Sequence, residues 1–184
     1  MADGTLKVGK IITSSGTGTV QIGQSGETID IQGTFQNASF NTPAFEVYRS
    51  ADQGITDAVT TLVEFDTKVL DTDNYYDNST NYRYTPLVAG KYFFYTQLIM
   101  AVSSNNINDA QLYIRKNGDN YKFARFNPGS SDERELILGV SAIIDMNGTD
   151  NYVDVRGYIN VSGGSPRFES GVKSCYFGGY RLGV

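Results

Sequence analysis

The hydrophobic pattern along the chain is that of strands, and its densest stretch runs from Pro86 to Met100. A glycine at 90 ends a turn, and aromatic and β-branched residues follow closely, as a pleated and packed segment requires. One parity of this run carries Tyr92, Phe94, Leu98 and Met100; the other carries Phe93, Tyr95 and Ile99. A strand with one wet face alternates apolar with polar. Here neither face is polar. That predicts cover on both sides, by a second sheet on one and by another copy of the chain on the other.

From Pro43 onward the same kind of pattern recurs in short pieces. The predicted strands are Ala44–Arg49, Thr61–Phe65, Lys68–Leu70, Tyr82–Tyr84, Lys91–Val102, Gln111–Lys116, Tyr121–Phe126, Glu135–Asp145, Tyr152–Asn160 and Ser174–Leu182. Asn117-Gly118 and Asn147-Gly148 supply the positive φ angles of tight turns and predict two hairpins. Glu133 to Ile144 is the one rival for a helix, but Gly139, Val140, Ile143 and Ile144 argue for strand. About ten short strands, separated by acidic or Asn-rich loops, point to an all-β fold of the jelly-roll or Greek-key sandwich type.

Residues 1–42 read differently. Gly, Ser and Thr dominate, interrupted by Thr5-Leu6-Lys7-Val8-Gly9, Thr19-Val20-Gln21-Ile22-Gly23 and Thr28-Ile29-Asp30-Ile31-Gln32-Gly33. Each piece holds two or three apolar side chains, too few to offset the entropy of ordering it alone. A flexible linker carries no such β-branched alternation. The segment is therefore expected to be a β-rich stalk in which several copies wrap about a common axis.

Composition narrows the chemistry. The chain has 184 residues, 40% of them hydrophobic, with thirteen Tyr, ten Phe and no Trp. A net charge of −5 counts against generic nucleic-acid or anionic-membrane binding, and no apolar run reaches the roughly 20 residues that span a bilayer. No signal peptide is legible at Met1-Ala2-Asp3-Gly4. There is no His, which removes His-based triads, acid–base relays and most transition-metal sites. The one Cys, at 175, lies among strand residues and reads as a buried thiol.

Several pieces, in the right order, resemble the complement C1q/tumour necrosis factor-like jelly-roll family. Phe65, Asp71 and Tyr76 match the opening spacing of its signature, and Tyr84 followed by Gly90, Tyr92 and Phe94 matches its continuation. Three departures are visible: one extra residue between Tyr76 and Tyr84, Tyr84 in place of Phe, and Thr96 where an aromatic is expected. Pro43–Arg49, with Phe45, resembles the family's first strand. Tyr176–Leu182, with Phe177 and Gly179, resembles its last.

The resemblance covers Pro43 to Val184 and implies a ten-stranded sandwich that trimerises about a three-fold axis, with both chain ends at its base. On this reading Phe45, Phe65, Tyr84, Gly90, Tyr92, Phe94, Phe177 and Gly179 are the signature residues of the core. Phe93, Tyr95, Tyr176 and Tyr180 then meet the neighbouring subunits.

Other candidates are weaker. Asp71, Asp73 and Asp77 have the odd spacing of a calcium loop, but Tyr76 and Tyr82 stand where it needs Gly and Glu. A solvated acidic turn is the expectation, with no cofactor, although some members of the family hold calcium near the trimer axis. Asn37, Asn78, Asn147 and Asn160 begin chance glycosylation sequons. Asp132, Glu133 and Glu135 are adjacent loop acids rather than a glycosidase pair. Ser103–Ala110, Asp119–Asn120 and Gly163–Arg167 have the polar composition of adaptable contact surfaces, which fits contact loops at a head's tip and simple wet loops alike.

The N-terminal Leu-Lys-Val-Gly-Lys-Ile-Ile-Thr run resembles marine bacteriophage structural proteins. Taken together, the expected protein is a non-enzymatic homotrimer of a virion, a capsid decoration or short fibre. It would be held to capsid or tail proteins by residues 1–42, with a head free to touch a host-surface glycan or protein. The alternative is a secreted or surface-displayed ligand or adhesion module of the same fold.

Overall fold

A computed structural model describes residues 41–104, 106–129 and 132–183. They belong to one compact unit that begins at Ser39; residues 1–40, and with them nearly all of the expected stalk, lie outside the described residues. The strands are β1 (Ala44–Tyr48), β2 (Gln53–Gly54), β3 (Thr61–Leu62), β4 (Thr67–Asp71), β5 (Tyr76–Asp77), β6 (Arg83–Tyr84) and β7 (Gly90–Val102). They continue with β8 (Ile107–Lys116), β9 (Asp119–Phe126), β10 (Glu135–Met146), β11 (Val153–Val161), β12 (Pro166–Phe168) and β13 (Tyr176–Arg181). No helix occurs among the described residues.

Two antiparallel sheets form a sandwich. In the first, β7 pairs with β10 along one edge and with β13 and β12 along the other, and the sheet continues from β13 through β1 to β4. The second runs β5-β6-β11-β8-β9, with β3 also on β11. Pro43 O accepts a hydrogen bond from Arg181 N at 3.0 Å, so the start and end of the domain lie side by side.

The alternation predicted for β7 is the device that builds the core. Tyr92, Phe94, Leu98 and Met100 are fully buried between the sheets, with Phe45, Phe65, Tyr84 and Phe177. Phe45 sits at the centre of the ring cluster, stacked on Tyr84 at 4.0 Å and edge-on to Phe177 at 4.9 Å. Two glycines admit the rings to the backbone. A Cβ at Gly179 would stand 2.6 Å from the Phe94 ring, and one at Gly157 only 2.4 Å from Phe168. Thr96, where the family has an aromatic, is buried and donates from Oγ1 to Tyr176 O at 2.8 Å.

The structure departs from the predicted pattern in places that local sequence could not decide. Thirteen strand segments occur among the described residues where ten are expected; β2, β5 and β12 are two or three residues long and carry no periodicity to read. Thr61–Phe65 is ladder-paired only at its first two residues, although Val63 and Phe65 are still fully buried. Asn117-Gly118 does close a hairpin, both residues at positive φ, 52° and 91°. Asn147-Gly148 does not: β10 belongs to the first sheet and β11 to the second. Asn147 instead folds its side chain into the crossing loop, where Oδ1 accepts from the backbone N–H of Thr149 and Asn151 at 3.1 Å.

Candidate self-association face

Residues directly opposite in an antiparallel ladder share a face. Ile143–Phe93–Tyr180 and Ser141–Tyr95–Gly178 are two such rows across β10, β7 and β13, and Gly139–Gln97–Tyr176 is the next. Since Tyr92 and Phe94 point inward, all of these point away from the core. The outward surface of the first sheet is thus a plate of half-buried rings: Phe93 lies 5.7 Å from Tyr180 and 6.0 Å from Tyr95, and Tyr95 lies 6.1 Å from Tyr176. The four residues named from sequence as contact residues are brought together.

The plate is pre-organised. Gly178 leaves room for the Tyr95 ring, whose Cζ would stand 2.6 Å from any added Cβ. Tyr95 donates to Glu46 Oε2 at 2.7 Å. Burial, then that hydrogen bond and the carboxylate charge, push its phenol well above the ordinary tyrosine range. Beside the rings, Gly139 and Ser141 leave a depression of about 270 Å³ walled by Tyr95, Gln97 and Tyr176.

Sequence reasoning missed the corner next to the plate. Among the described residues β9 and β10 are the free edges of the two sheets on one side of the sandwich, and Tyr121 ties them together by donating to Ile143 O at 3.1 Å. There Ile143 is 54% exposed and Ile137 57%, with Tyr121 and Phe126 also exposed. Large apolar side chains around two unpaired strand edges mark a surface made to be covered. The available signal was the β10 alternation itself, in which Ile137 and Ile143 share the parity opposite to the buried Leu138, Ala142 and Ile144.

The acidic turn is not a cation cage. Asp71 accepts from the backbone N–H of Tyr75 and Tyr76 and from Lys68 Nζ at 2.8 Å. Asp73 takes the Thr72 hydroxyl. Asp77 accepts from the backbone N–H of Ser79, Thr80 and Asn81. The three carboxylates serve separate turns, and no acidic cluster able to hold a metal ion occurs among the described residues.

Burial works against ionising Asp77, but the N–H groups outweigh it and hold its carboxyl well below the usual range. A depressed folded-state pKa contributes stability above the unfolded value, near 4, and loses it as pH falls through the folded one. Asp77→Asn is therefore expected to lower the melting temperature at pH 7 and to match the parent progressively below about pH 4. Thermal melts across that range check it; a pH-independent offset would contradict it.

The remaining candidates are structural. Asp132 accepts from Asn106 Nδ2 at 2.7 Å. Cys175 is fully buried, its Sγ 3.4 Å from Ile99 N, and burial raises its thiol above the ordinary value. The three contact loops do not share a tip. Ser165 N bonds Ser103 Oγ at 3.0 Å and Ser162 N bonds Asn106 O at 2.9 Å, which joins the two loops at one end of the sandwich. Asp119–Asn120 lies at the other end, opening β9, while Ile107–Ala110 and Pro166–Arg167 are ladder-paired strand.

The sequence matches no family model and no curated protein. Solved structures do match. The globular domain of zebrafish complement 1qA is similar over 77% of this chain and 97% of its own, at a TM-score of 0.55 and 16% identity. Murine APRIL, in a crystal at pH 5.0, gives a TM-score of 0.57 at 10% identity over 76% of this chain and 98% of its own. The Eiger TNF of S. frugiperda gives 0.56 at 9% identity, over 76% and 92%. With the aromatic signature in the core and this strand order, residues 43–184 have the C1q/TNF-like jelly-roll fold.

Proposed function

We propose that the protein is a homotrimeric, non-enzymatic structural protein of a bacteriophage virion, a capsid decoration or short fibre. The observation that carries the assembly is the apolar plate of Phe93, Tyr95, Tyr176 and Tyr180 with the exposed corner of Ile137 and Ile143 beside it. The corner of one copy laid on the plate of the next is a heterologous contact, and such contacts close into rings when the rotation allows. The N-terminal Gly/Ser/Thr segment with its β-branched pieces supports an anchoring stalk, through which residues 1–42 would hold capsid or tail proteins. The head then projects and is free to contact a host surface.

Electron microscopy of purified particles, labelled with antibody against residues 43–184, tests the virion role. Label over the capsid faces supports decoration, and label at the tail supports a fibre. Particles without the protein would overturn the proposal. A second reading, a secreted or surface-displayed trimeric ligand, draws on the likeness to the solved structures of Eiger TNF, APRIL and complement 1qA. Recovery of the protein from the medium or cell surface, with none on particles, would favour it.

A further inference from the structure

On the outward face of the second sheet, Asp154 of β11 stands directly opposite Arg83 on one neighbouring strand and Arg115 on the other. Arg156 follows two positions along β11, its Nε 3.7 Å from Asp154 Oδ1, an ion pair too long for a hydrogen bond. Three guanidiniums thus surround one carboxylate that is itself only 5% exposed. Roughly fifteen N–H donors face about four acceptor sites. The groups are held by charge and not by hydrogen bonds: Nε of Arg115 and of Arg156, and Asp154 Oδ1 as well, are buried with no hydrogen-bond partner among the described residues. On a chain of net charge −5 this is a local reversal of sign.

The arginines are held in place. Arg83 stacks over the Tyr152 ring, its Cζ 4.2 Å from the ring centre. Gly118 lies against both Tyr152 and Arg115: a Cβ there would be 3.5 Å from the tyrosine hydroxyl and 3.8 Å from Arg115 Nη2. Asp77, opposite Arg83 in the ladder, offers it no ion pair, since its oxygens accept from residues 79–81.

Arg83 also lines a second feature, an open crevice of about 470 Å³ with Lys68, Asn74, Asn78, Asn81 and Tyr75 in its walls. Amide side chains both donate and accept, as vicinal hydroxyls require, and the volume lies in the range of small-molecule sites. Leu87, 57% exposed, gives the same crevice an apolar lip.

We propose that this is a binding site for an acidic saccharide, its carboxylate or sulfate seated between Arg83, Arg115 and Arg156 and its hydroxylated ring in the adjoining crevice. Arginine suits this role because its planar fork meets an oxyanion with two parallel hydrogen bonds. The proposal deepens the host-contact part of the proposed function by naming the group bound. Binding by the isolated chain depends on none of the virion reading, so the two fail separately.

Titration calorimetry of the full chain at low salt uses glucuronate, glucose 6-sulfate, glucose and inorganic sulfate as probes. Either or both acidic sugars are expected to bind at least about tenfold more tightly than glucose and than sulfate, and more weakly as salt is raised. Which of them binds identifies the oxyanion. Arg83→Gln is expected to cost about tenfold or more, and Leu87→Glu, an exposed site that leaves the fold alone, to repel the acidic sugars selectively. Equal affinity for glucose and glucuronate, sulfate binding as well as its sugar ester, or loss of neither variant's affinity would each overturn the proposal.

Discussion

Phe93→Glu is expected to sediment as a single chain of 20.2 kDa where the parent sediments at three times that mass. Phe93 lies in the middle of the plate, between Ile143 and Tyr180 in the ladder. A carboxylate there would be buried by the neighbouring copy, and the next cation along that face of β7, Lys91, is already paired with Asp145 at 2.9 Å. Stranding one charge in this way costs about 3 kcal/mol or more. A ring of three repeats the cost at three contacts, which lowers assembly by roughly six orders of magnitude.

The substitution spares the core, because the side chain points away from Tyr92 and Phe94, so the monomer keeps its sheet content. Phe123→Glu is the control. Phe123 is 59% exposed on the other sheet, 5.8 Å from Tyr113, and its loss is expected to leave the mass unchanged. An unchanged mass for Phe93→Glu would remove the plate from the assembly.

What could be read in advance was whatever local spacing encodes. The two parities of β7 separate inward Tyr92 and Phe94 from outward Phe93 and Tyr95, and period two in a single strand is enough to show it. Gly179 is legible as a signature position, and the structure shows its reason, the approach of the Phe94 ring to the backbone. The Asn-Gly pairs show the limit. Asn117-Gly118 and Asn147-Gly148 are the same dipeptide after the same kind of run, yet one closes a hairpin and the other crosses between sheets. The choice is made by partners far along the chain, not by the turn.

Functional surfaces were harder for the same reason. Ile137 and Ile143 read as ordinary strand residues, since nothing local says that β10 is an edge. Arg83, Arg115 and Arg156 stand on three strands, dozens of residues apart, and no Lys/Arg run signals them. Only the register that sets Asp154 between two of them turns a scattered composition into a basic cluster. The acidic turn shows spacing without shared partners. Spacing sets Asp71, Asp73 and Asp77 in one run, while Asp71 and Asp77 bond the backbone of their own turns, the ordinary use of Asp in loops, and Asp73 takes the Thr72 hydroxyl.

Phe45→Ala carries the largest expected loss of fold stability. Its ring contacts Tyr84 at 4.0 Å, Phe177 at 4.9 Å and Tyr76 at 5.5 Å, so truncation opens a cavity where both sheets meet. Phe→Ala in a core costs about 3–5 kcal/mol, and each aromatic pair lost adds roughly 0.5–1.5. At about 2–4 °C per kcal/mol for a domain of this size, melting falls by on the order of 6–20 °C. Melts must be run at fixed protein concentration, because assembly raises apparent stability.

Tyr84→Phe separates packing from polarity at the same spot. The Tyr84 hydroxyl is buried with no partner among the described residues, so its removal is expected to be neutral or to stabilise by up to about 1 kcal/mol. If Phe45→Ala cost less than about 1 kcal/mol, or Tyr84→Phe cost more, the ring stack would not be what joins the two sheets.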